Sequence, residues 1–219
     1  GMEWASGGLR HGLICDLTGD TGYAGDLHEN SVNRLAHKFG VDTAHGQRVG
    51  KVASLLFKQL TNQNKKSISL DYERLLRKLQ WAAELHEIGS HISHSDYHKH
   101  GAYILDNADA MGFSLSELHR LSILVLGHRG KLRKVEAALE NADMVFQLLC
   151  LRLAVILCHA RRDPDLGGIS LKQSDAERPV MRLTCRPDWA ESYPQSAHLL
   201  REEMMSWEKT PWQFDVRGL

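Results

Sequence analysis

The feature that most constrains this chain is a run of fifteen residues, MVFQLLCLRLAVILC from Met144 to Cys158, in which only Gln147 and Arg152 are polar. It is shorter than the roughly 20 apolar residues a membrane span requires and carries a full charge, so it reads as a helix buried on nearly every side. The rest of the chain must then be able to cover it. A chain of 219 residues is long enough to do so, burying roughly 70% of its unfolded surface. The 27 basic and 27 acidic side chains cancel, which leaves no global field to attract nucleic acid or an acidic lipid surface. Cys15, Cys150, Cys158 and Cys185 form no CxxC pair, a pattern expected of reduced thiols in a cytoplasmic protein.

Upstream of the apolar run the periodicity is helical. HENSVNRLAHKFG spaces Val32, Leu35, Ala36 and Phe39 along one face and stops on Gly40, a residue suited to the left-handed position after a helix. DTAHGQRVGKVASLLFKQL then offers Asp42 as N-cap and His45, Val49, Val52, Ala53, Leu56 and Leu60 as one stripe. A third helix over LDYERLLRKLQWAAELHEIG aligns Leu75, Leu79, Ala82, Ala83 and His86, and Gly89 ends it. HKHGAYILDNADAMG predicts a fourth, with His100, Tyr103 and Ile104 near one face. Ser114 and Glu117 form a capping-box pattern for a fifth, whose inner line is Leu118, Leu121, Val125 and His128. After DPDLGG the texture changes: GISLKQS and PVMRLTCR read as strands, QSAHLLREEMMSWEK as a helix and WQFDV as a last strand. The expected fold is mainly α, a helical bundle over 23–163 followed by a small α+β C-terminal subdomain over 164–219. Residues 1–22 contain LICDL ringed by glycines, which reads either as the last strand of another domain or as an N-terminal arm.

The histidines concentrate the chemistry. There are 13, five of them between His86 and His100. A divalent metal is held by imidazoles and carboxylates that converge from separate helices, and an adjacent histidine–acid pair supplies two ligands of different hardness. His86 and Glu87 form such a pair, with His45 upstream and His100 and His128 downstream. The order resembles the HD superfamily of metal-dependent phosphohydrolases, in which a histidine, a histidine–aspartate pair, further histidines and a late aspartate line a helical pocket. This chain departs from that pattern twice. Glu87 replaces the aspartate and lengthens the arm by about 1.5 Å, against a ligand tolerance of about 0.2 Å; Val155 stands where the resemblance puts the late aspartate. The set His45, His86, Glu87, His100 and His128 therefore reads as a degenerate HD-like pocket without a metal of its own. His91, His94 and His98 lie in a polar stretch after Gly89 and read as surface residues.

The run from Trp81 to Leu132, with its elements LHEIG, HKHGAYIL and GF, resembles the HD-like helical domain of the exopolyphosphatase and guanosine pentaphosphate phosphohydrolase (Ppx/GppA) family. ASGGLRHGLICDL resembles the segment closing that family's second actin-like domain, DTAHGQRVGKVASLLF its first HD-like helix, and the tail its small C-terminal domain. The resemblance implies a catalytic centre between two N-terminal actin-like domains, where glycine-rich loops, an activating carboxylate and Mg²⁺ act on the scissile phosphoryl group. The chain lacks those loops, so it would hold no catalytic residue and no cofactor itself. It would bind inorganic polyphosphate or guanosine pentaphosphate, form a homodimer and work beside the actin-like domains of a longer parent.

A polyanion can be gripped by several cations without sequence information. GHRGKLRK is the best candidate, with His128, Arg129, Lys131, Arg133 and Lys134 as five cations beside the pocket; the alternative is a solvated basic loop. Arg34, Lys38, Arg48 and Lys51 are weaker candidates. Imidazolium formation in such a loop would raise polyanion affinity as pH falls from 8 to 6. Two other functions remain open: an independent metal-dependent HD-type phosphohydrolase, and a pure interaction module.

Overall fold

The computed structural model describes residues 21–61, 71–174 and 180–219. The strand-or-arm expectation for the first twenty residues lies outside them. Six longer helices come first: α1 (Thr21–Lys38), α2 (Thr43–Thr61), α3 (Asp71–Glu84), α4 (Tyr97–Asp106), α5 (Leu115–Gly127) and α6 (Ala142–Leu157). A strand β1 (Ser170–Gln173), a strand β2 (Val180–Thr184), a one-turn helix α7 (Trp189–Ser192), a helix α8 (Pro194–Trp207) and a strand β3 (Gln213–Arg217) follow. The protein is thus mainly α, with a small α+β region at its C-terminal end.

Local signals set most helix ends. Gly40 takes a φ of +61°, and Val41 N–H donates to Ala36 O at 2.9 Å, closing α1 as expected of a left-handed glycine. Asp42 Oδ1 accepts the backbone N–H of His45 at 3.0 Å and caps α2. The Ser114–Glu117 capping box forms in full at the start of α5, and Asn141 Oδ1 accepts from Met144 N–H at 2.9 Å to open α6.

The helix α6 is buried nearly all round, from Met144 to Leu157, and packs against α2, α3, α5 and α8. The inward stripes of α2 and α5 are buried throughout, as their spacing predicts. The helix α3, however, ends at Glu84, before the expected stop at Gly89. The chain turns through Leu85–Glu87 into a short 3₁₀ segment at Ile88–His91. Gly89 lies in this tight passage against Tyr97 O and Gly101 N, where no Cβ would fit.

The helix α4 is also rotated from its expected phase. Its buried residues are His98, Gly101, Ala102, Ile104 and Leu105, while Tyr103 is 68% exposed. A second 3₁₀ segment at Leu132–Glu140 links α5 to α6.

The sheet order is β1-β2-β3. The strand β1 pairs antiparallel with β2, Leu171 opposite Leu183; β3 joins the other edge parallel to β2, Met181 opposite Phe214. A parallel pair needs a crossover, which α7 and α8 supply. Leu171, Met181, Leu183, Phe214 and Val216 are buried on one sheet face. The sheet is tied to the helices by Gln59 Oε1, which accepts the Leu171 N–H at 2.8 Å. The crossover helix α8 is tied to α6 by Arg152. Its guanidinium meets both oxygens of the Glu203 carboxylate on α8 at 2.6 Å, and both side chains are 4% exposed. Among the described residues, no helix is long and apolar enough to cross a membrane.

Candidate functional site

The ends of α2, α3 and α5 and the start of α4 bring four imidazoles into a row. His45 and His86 have ring centroids 5.5 Å apart, His86 and His128 5.3 Å, and His128 and His98 6.3 Å. All four are buried, His86 and His128 to within 2%. Of the five pocket residues read from the sequence, His45, His86, Glu87 and His128 come together here; His100 does not. It is only half-buried and makes no ring contact with the four histidines of the row. His98, read from the sequence as a surface residue, takes the inner position. Two residues further along a helix is about 200° further round, so once Tyr97 opens α4 with His98 inward, His100 must face away.

The row is neutral. His86 Nδ1 lies 2.6 Å from Ala83 O and His128 Nδ1 lies 2.6 Å from Val125 O. A carbonyl can only accept, so each Nδ1 carries the proton and each Nε2 keeps its lone pair. The Tyr97 hydroxyl donates to His128 Nε2 at 3.3 Å. Burial pushes His86 and His128 down from their ordinary 6.5, His128 helped by His86 beside it. Burial, then the positive charges of Lys134 and Arg129, push His98 down to about 4. Two nitrogens in the row, His45 Nδ1 and His98 Nδ1, are buried and have no hydrogen-bond partner among the described residues.

One ligand atom each from His45, His86 and Glu87 lie within 4.8 Å of one another, close enough for a metal ion. The remaining chemistry fits a catalytic divalent cation poorly. Both Glu87 oxygens accept from Arg161 Nη2, at 2.7 and 2.9 Å, while Arg161 Nη1 donates to Asp42 Oδ2 at 2.9 Å. A guanidinium already neutralises the carboxylate that a metal would need. Arg161 holds this bridge from a φ of +54°, a left-handed conformation that a side chain adopts at some cost. Val155, at the position of the expected late carboxylate, is a half-buried hydrocarbon packed on the core. Arg161 carries no sequence signal: it is one of two adjacent arginines at a helix end, and its partners lie 119 and 74 residues away.

The basic loop begins where the row ends. His128 is 2% exposed with both ring nitrogens engaged, so it is not among the cations open to a ligand. Arg129 lies over the Tyr97 ring, 4.8 Å from its centroid; Lys131 and Arg133 are exposed. Lys134 is half-buried, and its amine donates to Arg129 O at 2.7 Å. Burial, together with Arg152, Lys99 and Arg129 around it, pushes the Lys134 amine down to about 8. Arg152 anchors the loop from beneath through Gly127 O at 2.7 Å and Gly130 O at 3.1 Å. The weaker candidates are otherwise engaged: Arg48 pairs with Asp163 at 2.9 Å, Arg34 reaches Asp109 O at 3.4 Å and Lys38 lies over Phe39. Lys51 is exposed.

Comparison with known proteins bears on this arrangement. A family model described as Ppx/GppA phosphatase, domain III, matches residues 27–204. The guanosine-5'-triphosphate,3'-diphosphate pyrophosphatase of Pseudoalteromonas translucida (strain TAC 125) is 31% identical over 218 residues, 98% of this chain and 42% of that protein. Proteins of the same name from Aeromonas hydrophila subsp. hydrophila and Aeromonas salmonicida (strain A449) are each 30% identical over 215 residues, 96% of this chain and 42% of theirs. The chain therefore spans about two fifths of the length of these curated relatives.

Proposed function

The chain belongs to the Ppx/GppA phosphatase family, and from that membership we propose that it is the polyanion-holding, dimer-forming C-terminal part of a cytoplasmic phosphohydrolase. The parent would remove the terminal phosphate of guanosine pentaphosphate or inorganic polyphosphate, the first being favoured by the names of the relatives. Its catalytic centre and Mg²⁺ would lie in actin-like domains outside this chain. The described glycine pair, Gly167-Gly168, precedes β1 and has no strand before it and no helix directly after it, which supports this division, because a phosphate-cradling loop joins a strand to a helix.

The observation that carries the reading is the clustering of cations on one loop: Arg129, Lys131 and Arg133 are exposed beside the half-buried Lys134. Burial, then Arg152, Lys99 and Arg129 nearby, pushes the Lys134 amine down to about 8, and the positive field of these groups favours an anion beside them. A phosphate chain laid along Arg129, Lys131, Arg133 and Lys134 would relieve that repulsion. The histidine row beneath then serves as the neutral floor of an HD-like pocket and keeps the loop in place.

Filter binding of labelled polyphosphate and of guanosine pentaphosphate tests the proposal. Tight binding without phosphate release by this chain, weakened at least about tenfold in the double variant Lys131→Ala/Arg133→Ala, is expected, because each charge-assisted contact contributes about 1.5–3 kcal/mol. Wild-type binding in that variant would remove the loop from the account. Sedimentation of the same samples reads the dimer.

The close approach of His45, His86 and Glu87 favours a second reading, a metal-dependent HD-type phosphohydrolase. It requires Arg161 to release Glu87.

A further inference from the structure

A cavity of about 590 Å³ lies where the chain leaving α6 meets α7 and α8. It shares no lining residue with the histidine row or the basic loop, and its size falls in the range of small-molecule sites. Arg162 and His159 line it on the α6 side, and Trp189, Tyr193 and Ser196 on the other.

Its polar groups have a common direction of charge. The helix α8 runs for 14 residues, carries a proline in its first turn and receives no side-chain cap from Tyr193. The first-turn amides of a helix have no intrahelical acceptor, and with the helix dipole they favour an anion. Gln195 and Ser196, in that first turn, line the cavity. Two aspartates also line it, but Asp163 is held by Arg48 at 2.9 Å and Asp165 by Arg186 at 2.7 Å. Arg162 is exposed and has no acidic partner among the described residues. It is the lining cation left for a ligand.

Two further features point to an occupant. Trp189 is 2% exposed, and its indole Nε1–H has no acceptor among the described residues; a buried donor without a partner is unfavourable until an acceptor arrives. Tyr193, half-buried at the cavity, gives it an aromatic wall, and the buried Trp189 ring backs that wall at 5.3 Å and 40°. His159 Nδ1 lies 2.9 Å from Ile156 O and 3.4 Å from Ser196 Oγ, so Nε2 is the ring nitrogen left to meet a ligand.

We propose that this cavity binds a small organic phosphate of the nucleotide kind, one phosphate group joined through a sugar to a flat ring. Arg162 and the first-turn amides of α8 hold the phosphate, and the Tyr193 face takes the ring. The cavity shares no lining residue with the basic loop, so the two sites can be tested independently.

Calorimetric titration of the whole chain with adenosine monophosphate and guanosine monophosphate, beside inorganic phosphate and uncharged adenosine, tests this. The nucleotides should saturate with a Kd of about 0.1 mM, and phosphate or adenosine alone should bind at least about tenfold more weakly. Arg162→Ala, an exposed change, should weaken nucleotide binding about tenfold or more while polyphosphate binding keeps its wild-type strength. In the nucleotide complex, the indole N–H NMR signal that disappears in Trp189→Phe should shift. Titrations that do not saturate with either nucleotide would overturn the proposal. So would equal nucleotide affinity in Arg162→Ala and wild type, or a parallel loss of polyphosphate binding in Arg162→Ala.

Discussion

Arg152 is a charge inside an apolar run, and its surroundings make it costly to remove. Its guanidinium bonds Glu203, Gly127 O and Gly130 O, and Glu203 also accepts from the Trp207 indole at 2.6 Å. Truncating one partner of a buried pair costs about 3–5 kcal/mol, because the other charge is left uncompensated. Urea denaturation of Arg152→Ala should show a loss of that size, and Arg152→Met/Glu203→Leu a smaller one. A single variant within about 1 kcal/mol of wild type would contradict the pairing. In the sequence, Arg152 argued only against a membrane span, since its partner lies 51 residues away and no periodicity reaches that far. Arg161 was hidden for the same reason, and it decides how Glu87 is used. Elemental analysis should find far less than one transition-metal ion per purified chain. A near-stoichiometric ion that is lost in His86→Gln would show that the guanidinium yields to a metal.

Among the elements, α2 and α5 were legible because every turn repeats the same inward spacing and a capping residue fixes each start. The helix α4 was not, since a four-histidine stretch has no apolar phase to read. Where the helix starts, at Tyr97, decides whether His98 or His100 faces inward, and packing against Gly89 sets that start. The loop between α5 and α6 changes the expected pH response. The sequence suggested imidazolium formation between pH 8 and 6, yet burial keeps His128 neutral there. The titrating group is Lys134, at about 8, facing Arg129, Arg152, Lys99 and Asp96. A lysine is charged below its pKa, so polyphosphate affinity should climb as pH falls from 9 to 7 and then level off. Lys134→Met should flatten the climb; a rise confined to pH 7 to 6 in the wild type would return the role to histidine.

At the level of the whole molecule, α6 is the spine on which α2, α3, α5 and α8 meet, and the apolar run announced it. The β1-β2-β3 pairing was less legible, because three short strands do not specify whether β3 lies parallel or antiparallel. The α8 crossover settles that by geometry. Gln59 joins the sheet to α2, and Arg152 joins α6 to α8 and to the basic loop, so that loop is held on a rigid frame. A preorganised row of cations loses less freedom when a ligand arrives.

The salt dependence of polyphosphate binding tests this account most directly. Four cations, Arg129, Lys131, Arg133 and Lys134, acting on a flexible single-stranded polyanion predict a plot of log affinity against log salt with a slope of about −3. A slope near zero, or no binding at low salt, would contradict the claim that this part of the protein grips a phosphate chain.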